Sequence, residues 1–264
     1  MANKKMTEIT KRLEAGVLGI FESGRYEEYL KFMSKFHSYS ANNCILIMLQ
    51  HPTATLVAGY RAWQKMKRQV RKGEKAIKII APCRYKADDE EEKIFFRVAN
   101  VFAIDQTDGE ELPTLGVSEL NGNVEGYRQL FEALMAACPV PVILEDLPGE
   151  AKGCYDETLK QITVQSGMSE AQTLKTLIHE MAHQMLHASH VEGSKELDRE
   201  TKEVQAESIA YAVCNYLGID TAEYSFGYIA EWSSGKDAKE LKASLETIRK
   251  TASRLIVSID EIAA

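Results

Sequence analysis

The chain has 264 residues, 45% of them apolar and 27% charged, which is ordinary for globular protein and enough for two cores. Its five cysteines (Cys44, Cys83, Cys138, Cys154 and Cys214) are odd in number, scattered and without a C-x-x-C pair. That pattern excludes a disulfide framework and a zinc ribbon and fits a reducing cytoplasm.

No apolar run approaches the length of a membrane span, and no secretory signal follows Met1, so a cytoplasmic protein without a membrane partner is expected. Residues 4–23 and 25–36 read as two amphipathic helices, the first with Leu13, Val17, Ile20 and Phe21 on one face. Ser40 suits the cap of a third helix, Ala41 to Gln50, which Pro52 ends. Thr55 to Ala58 reads as a short strand, Arg61 to Met66 as a short helix and Arg71 to Glu74 as a hairpin-type turn. Ala76 to Ala81 and Ile94 to Ile104 read as strands flanking an acidic loop, which together suggest a β-meander.

The formal net charge of −7 argues against a polyanionic partner, but its distribution argues for one. Arg61, Lys65, Lys67, Arg68, Arg71, Lys72, Lys75 and Lys78 face a single acid, Glu74, within this stretch. A polyanion responds to such a local patch within a Debye length. Single-strand binders combine a basic groove with aromatic platforms. Tyr39, Tyr60 and Trp63 interleave with these cations, and Asn42 and Asn43 suit hydrogen bonds to bases or phosphate.

Asp105 to Asn123 is poor in large apolar residues and reads as a linker, giving domains over residues 1–112 and 113–264. Val124 to Ala137 then reads as a helix, Val140 to Leu144 as a strand, and Gly153 to Asp156 with Gln161 to Val164 as a hairpin. Next comes His179-Glu180-Met181-Ala182-His183, an H-E-x-x-H motif inside a run of helical periodicity opened by Ser169 and Glu170.

By chance this motif occurs in roughly one chain in a hundred of this length, so its surroundings decide its meaning. One turn apart on a helix, His179 and His183 point the same way and supply half of a tetrahedral Zn²⁺ site. Glu180 is turned aside, where it suits a general base. The metzincin pattern would need glycine in place of Leu186 and histidine in place of Ser189, so a third ligand must come from elsewhere. Glu200, Glu203 and Glu207 lie on a later helix; Glu203 is the expected ligand and Glu207 the partner that orients a histidine. His187 stands about 12 Å along the axis from His179 and reads as a helix-end histidine. Tyr224 to Trp232 is aromatic and either roofs the cleft or packs, and Asp237 to Ala263 is a long closing helix.

Two stretches carry a family likeness. Phe36 to Asn43 (F-H-S-Y-S-A-N-N) with Gly59 to Pro82 (G-Y-R-A-W-Q-K-M-K-R-Q-V-R-K-G-E-K-A-I-K-I-I-A-P) resembles the N-terminal single-stranded-DNA-binding domain of ArdC-type antirestriction proteins. L-I-H-E-M-A-H with E-V-Q-A-E-S-I-A resembles their zincin-type metallopeptidase domain, and the LtrC-like proteins of conjugative elements are similar. The resemblance implies an α+β chain: an α/β-meander DNA-binding domain, then a mainly helical HExxH domain with a small sheet. It implies a cytoplasmic protein of plasmids or integrative elements that binds single-stranded DNA and protects incoming DNA from restriction. Zn²⁺ is the expected metal, with Mn²⁺ as the alternative. The residues leave two other readings open: a DNA-shielding protein whose metal site is structural, and a peptidase with an N-terminal protein-binding domain.

Overall fold

The computed structural model describes residues 2–22, 25–86, 92–112, 124–219, 224 and 226–263. The chain forms two units, one of Met1–Leu115 with Lys236–Lys242 and one of Gly116–Gly235 with Ala243–Ala264. The α+β class and the order of an α/β first part and a mainly helical second part are as expected.

The first unit is built around α3 (Ala41–Gln50), in which Cys44 through Met48 are all buried. A helix apolar on every side must be covered on every side. Here α1 (Ala2–Glu22), α2 (Tyr26–Lys35) and β3 (Ile77–Lys86) do so. Gly16 allows α1 its close approach, since a Cβ there would lie 2.5 Å from Leu49 Cδ1. Ser40 caps α3 as its sequence position suggests, accepting from the Asn43 N–H.

The strand β3 is the outer strand of a sheet ordered β1 (Val57–Ala58), β4 (Glu92–Ala103), β3. Two amides of α3 serve it as extra rungs. The Asn43 side chain donates to Ile80 O and accepts from Ile80 N, both at 2.9 Å. Gln50 does the same at Lys78, at 2.9 and 3.0 Å.

The turn at Arg71 to Glu74 does not close a hairpin. The strand before it, β2 (Arg68–Val70), pairs antiparallel with β5 (Thr107–Gly109), whereas β3 pairs with β4. The start of the expected linker is therefore ordered: a 3-10 turn at Ile104–Gln106 leads into β5, and residues 113–123 lie outside the described residues. The Gln106 side chain, buried, ties this return to the turn by donating to Glu74 Oε2 and Lys75 O. The short helix α4 (Tyr60–Lys65) is pinned by Trp63, which is 0% exposed and donates its Nε1–H to Phe102 O at 2.9 Å.

In the second unit α5 (Val124–Ala137) precedes a sheet ordered β6 (Val142–Glu145), β8 (Gln161–Gln165), β7 (Gly153–Asp156). The expected hairpin is present, with β7 antiparallel to β8, and β6 runs parallel to β8. Against β7 and β8 lies α6 (Glu170–His187), which packs in turn on α7 (Arg199–Tyr216). Ile209 through Cys214 of α7 are buried in succession. A short α8 (Ile229–Ser233) follows, and the long α9 (Ala238–Ala263) belongs to this unit from Ala243 onward; Leu245, Ile248, Leu255 and Ile259 of the expected α9 stripe are buried, whereas Ile262 is exposed.

Emptying the Trp63 site should be expensive. Trp63→Ala is expected to destabilise the chain by about 3–5 kcal/mol, the usual cost of removing a large buried aromatic. The loss should appear as a lower denaturant midpoint and faster amide exchange in α4 and β4. An unchanged midpoint would place the ring at the surface.

Candidate metal centre

The chemistry of the second unit is concentrated between α6 and α7. Ser169 caps α6 by accepting from the Gln172 N–H, and Asp198 caps α7 by accepting from the Thr201 N–H. Leu174, Leu177, Ile178, Met181 and Ala182 of α6 are buried in the core. That burial fixes the helix rotation and sends His179 and His183 towards α7.

Their Nε2 atoms stand 3.0 Å apart. Glu203 Oε2 lies 3.6 Å from His179 Nε2 and 3.7 Å from His183 Nε2. Tetrahedral coordination with ordinary Zn–N and Zn–O bonds places donors about 3.4 Å apart, so these three atoms fit a single divalent ion. No other such group of histidine, cysteine and carboxylate donors occurs among the described residues. Glu200 is exposed and lies outside the cluster. Glu207 Oε2 is 3.1 Å from His179 Nδ1, the far side of the ring.

The electrostatics are those of a place that attracts a cation. Burial pushes His179 down, but the carboxylates of Glu203 and Glu207 outweigh it and lift the imidazole to about 9. The imidazoles of His179 and His183 hold Glu203 well below the usual carboxylate range. Glu180 is 9% exposed. Burial raises its pKa, opposed chiefly by the two histidines. Beside it opens a cavity of about 320 Å³, lined among others by Lys152, Gly153, His179, Glu180 and Tyr224. Of the aromatic stretch, Tyr224 lines this cavity, while Phe226 and Trp232 are buried.

Gly153 is what lets β7 run so close. A Cβ there would lie 2.6 Å from Thr176 Cγ2 and 3.0 Å from Glu180 Cγ. His187 does more than end a helix: its Nδ1 is 3.0 Å from His183 Nδ1. Sequence reasoning passed over that contact, although the four-residue step from His183 to His187 announces it.

In the first unit the residues expected to contact DNA divide sharply. Trp63 is fully buried and offers no face for a base, so it is a core residue. Asn43 is 8% exposed and both ends of its amide are held by Ile80, which removes it from base or phosphate recognition. Tyr39 donates its hydroxyl to Val57 O. Arg68 is bound to Thr107 O, Thr107 Oγ1 and the carbonyls of Gly109 and Glu110. Arg71 is paired with Glu74 and Asp108. The β2–β5 pairing thus brings acids against a basic turn that looks unopposed in the sequence. Arg61, Lys72 and Lys75 are exposed, Asn42 is half-buried, and Tyr60 is 43% exposed.

Comparison with known proteins follows the same division. Residues 1–115 match the model for the N-terminal domain of anti-restriction factor ArdC, and residues 138–253 match the Peptidase M78 model, the IrrE N-terminal-like domain. The chain has an ArdC-like first part and an IrrE-like second part.

Two crystal structures of the antirestriction ArdC protein from plasmid R388 share the ArdC-type fold. The metal-free form is 24% identical with a TM-score of 0.54, each chain covered over 85%. The Mn(II)-bound form is 22% identical with a TM-score of 0.56, covering 86% of this chain and 85% of that one. An uncharacterized Bacillus anthracis protein, pXO2-81, is 28% identical over 89% of this chain, which spans 47% of that relative's length. No helix among the described residues is long and apolar enough to cross a membrane.

The packing at Gly153 can be tested directly. Gly153→Ala should cost about 1–3 kcal/mol of stability by overpacking. Adding Thr176→Ser, which removes the obstructing methyl and keeps the hydroxyl, should recover part of that loss. Strict additivity of the two substitutions in equilibrium unfolding would show that they do not meet.

Proposed function

We propose that this chain is an ArdC-type antirestriction protein of a mobile element, with a single-stranded-DNA-binding domain over residues 1–112 and a zincin-like metallopeptidase domain over 113–264. The observation that carries the second half is the convergence of His179, His183 and Glu203 on one point beside a buried Glu180. A structural ion would need neither the buried base nor the adjoining cavity.

His179, His183 and Glu203 would hold the ion through Nε2, Nε2 and Oε2. A bound Zn²⁺ or Mn²⁺ supplies a Lewis acid for a scissile carbonyl and eases deprotonation of water. Glu180 takes the proton of the attacking water and hands it to the leaving nitrogen. Glu207 accepts from His179 Nδ1–H, which keeps the Nε2 lone pair on the ion's side of the ring. The outer edge of β7, paired with no described strand, runs beside Glu180 and suits an extended peptide held by main-chain hydrogen bonds. A protein substrate is therefore the expected partner of this half.

For the first half, the exposed cations Arg61, Lys72 and Lys75 supply contacts to phosphate and Tyr60 supplies a stacking face. Tyr60, Lys72 and Phe102 border an open groove of about 590 Å³. Neither kind of contact reads sequence, so binding should favour single strands of any composition.

Two measurements test these halves separately. His179→Ala and Glu203→Ala should each lose bound metal by elemental analysis, whereas Glu180→Gln should keep it and lose all cleavage of a denatured casein substrate. Turnover unchanged in Glu180→Gln would remove that residue from the chemistry. For DNA, anisotropy titrations of the full chain with a labelled oligothymidylate should show affinity falling steeply with salt. Joint replacement of Lys72 and Lys75 by Glu should weaken binding and flatten the salt slope. Tyr60→Ala should cost about 1–3 kcal/mol with the slope kept. Equal affinity for duplex would return this surface to ordinary solvated charge.

A further inference from the structure

The far side of His183 carries a chain of polar groups that the proposed chemistry does not use. His183 Nδ1 is 3.0 Å from His187 Nδ1. His187 Nε2 is 3.0 Å from Gln205 Oε1. Gln205 Nε2 reaches Ser244 Oγ at 3.5 Å. The outer three residues are buried, at 8%, 5% and 9% exposure. A buried polar chain of this kind must be consistent in its donors and acceptors, because each unmatched group costs free energy.

Only one direction of that chain leaves a lone pair for a metal. With His183 protonated at Nδ1, that N–H donates to His187 Nδ1. His187 is then protonated at Nε2 and donates to Gln205 Oε1, and the Gln205 amide nitrogen donates to Ser244 Oγ. Both imidazoles are neutral and every atom is matched. Reversal would require the Gln205 amide to turn its nitrogen to His187. It would also move the His183 proton to Nε2, the atom that faces His179 and Glu203. The orientation of one glutamine amide, two residues before Glu207 on the same helix, therefore selects the tautomer of a histidine on the opposite helix.

We propose that His187, held by Gln205, is a positioning residue that fixes His183 as the Nδ1–H tautomer and keeps its Nε2 lone pair on the metal centre. This rests on the reading of His179, His183 and Glu203 as the metal-holding set. The two histidines of the motif are then supported unequally. His179 donates to a carboxylate, Glu207, and gains basicity, while His183 donates to a neutral imidazole and is only oriented.

The test is calorimetric titration of the metal-free full chain with Mn²⁺ alone and with Zn²⁺ alone. His187→Ala should bind either ion about 10–100-fold more weakly, as loss of an orienting partner does. His187→Asn, whose Oδ1 takes the place of Nδ1 as acceptor, should recover most of that loss. Gln205→Leu should fall between them. In the Zn²⁺-loaded wild type, ¹⁵N imidazole spectra should show His183 protonated at Nδ1. Unchanged affinity in His187→Ala, or the same affinity in His187→Asn as in His187→Ala, overturns the proposal. So does a loss confined to the unfolding midpoint of the metal-free variants, which marks His187 as packing alone. A wild type that binds neither ion overturns the metal-centre reading itself, and is told apart because no variant comparison then exists.

Discussion

Two imidazole nitrogens 3.0 Å apart, with a carboxylate oxygen within 3.7 Å of both, need a positive charge between them. Lone pairs that converge in this way repel unless a proton or a metal ion occupies the centre. The carboxylates of Glu203 and Glu207 accordingly lift His179 to about 9 against the pull of burial. Much of the second unit serves this convergence. The apolar face of α6 sets the rotation of the histidines, the all-round burial of the α7 mid-section fixes the other helix, and Gly153 lets a strand come close enough to seat Glu180.

Much of that centre is legible in the sequence. The cap at Ser169, the helical periodicity and the i, i+4 histidines are local features, and the helix turns them into geometry by itself. Glu203 and Glu207, four apart on one helix, share a face that can turn towards the histidines. What the sequence could not display was the back of the site. His187 and Gln205 meet only because α6 and α7 cross where they do, and the role of Gly153 depends on how near β7 lies to α6.

The first unit shows the opposite case. Its cations form a dense local run, and local reading assigned them to a ligand. The pairing of β2 with β5 joins residues about forty positions apart and delivers Asp108 to Arg71 and Glu110 to Lys67. Segment Asp105 to Glu110 had looked like linker because strands of three residues leave no periodicity. Trp63 departs from the expectation for a related reason. An aromatic amid cations looks like a platform, yet the ring is fully buried and its N–H is held by the Phe102 carbonyl.

The amides of Asn43 and Gln50 on β3 have a consequence for solubility. An outer strand normally exposes a row of unmatched N–H and C=O groups, and another chain can add to it strand by strand. At Lys78 and Ile80 that row is already occupied by side chains of α3. The sheet is closed there by a helix acting as a dummy strand, with no backbone of its own to pass the ladder onward. Growth of intermolecular β-structure from this part of β3 is thereby blocked by the helix, in addition to Lys78 and Pro82, the kinds of residue that edges commonly use.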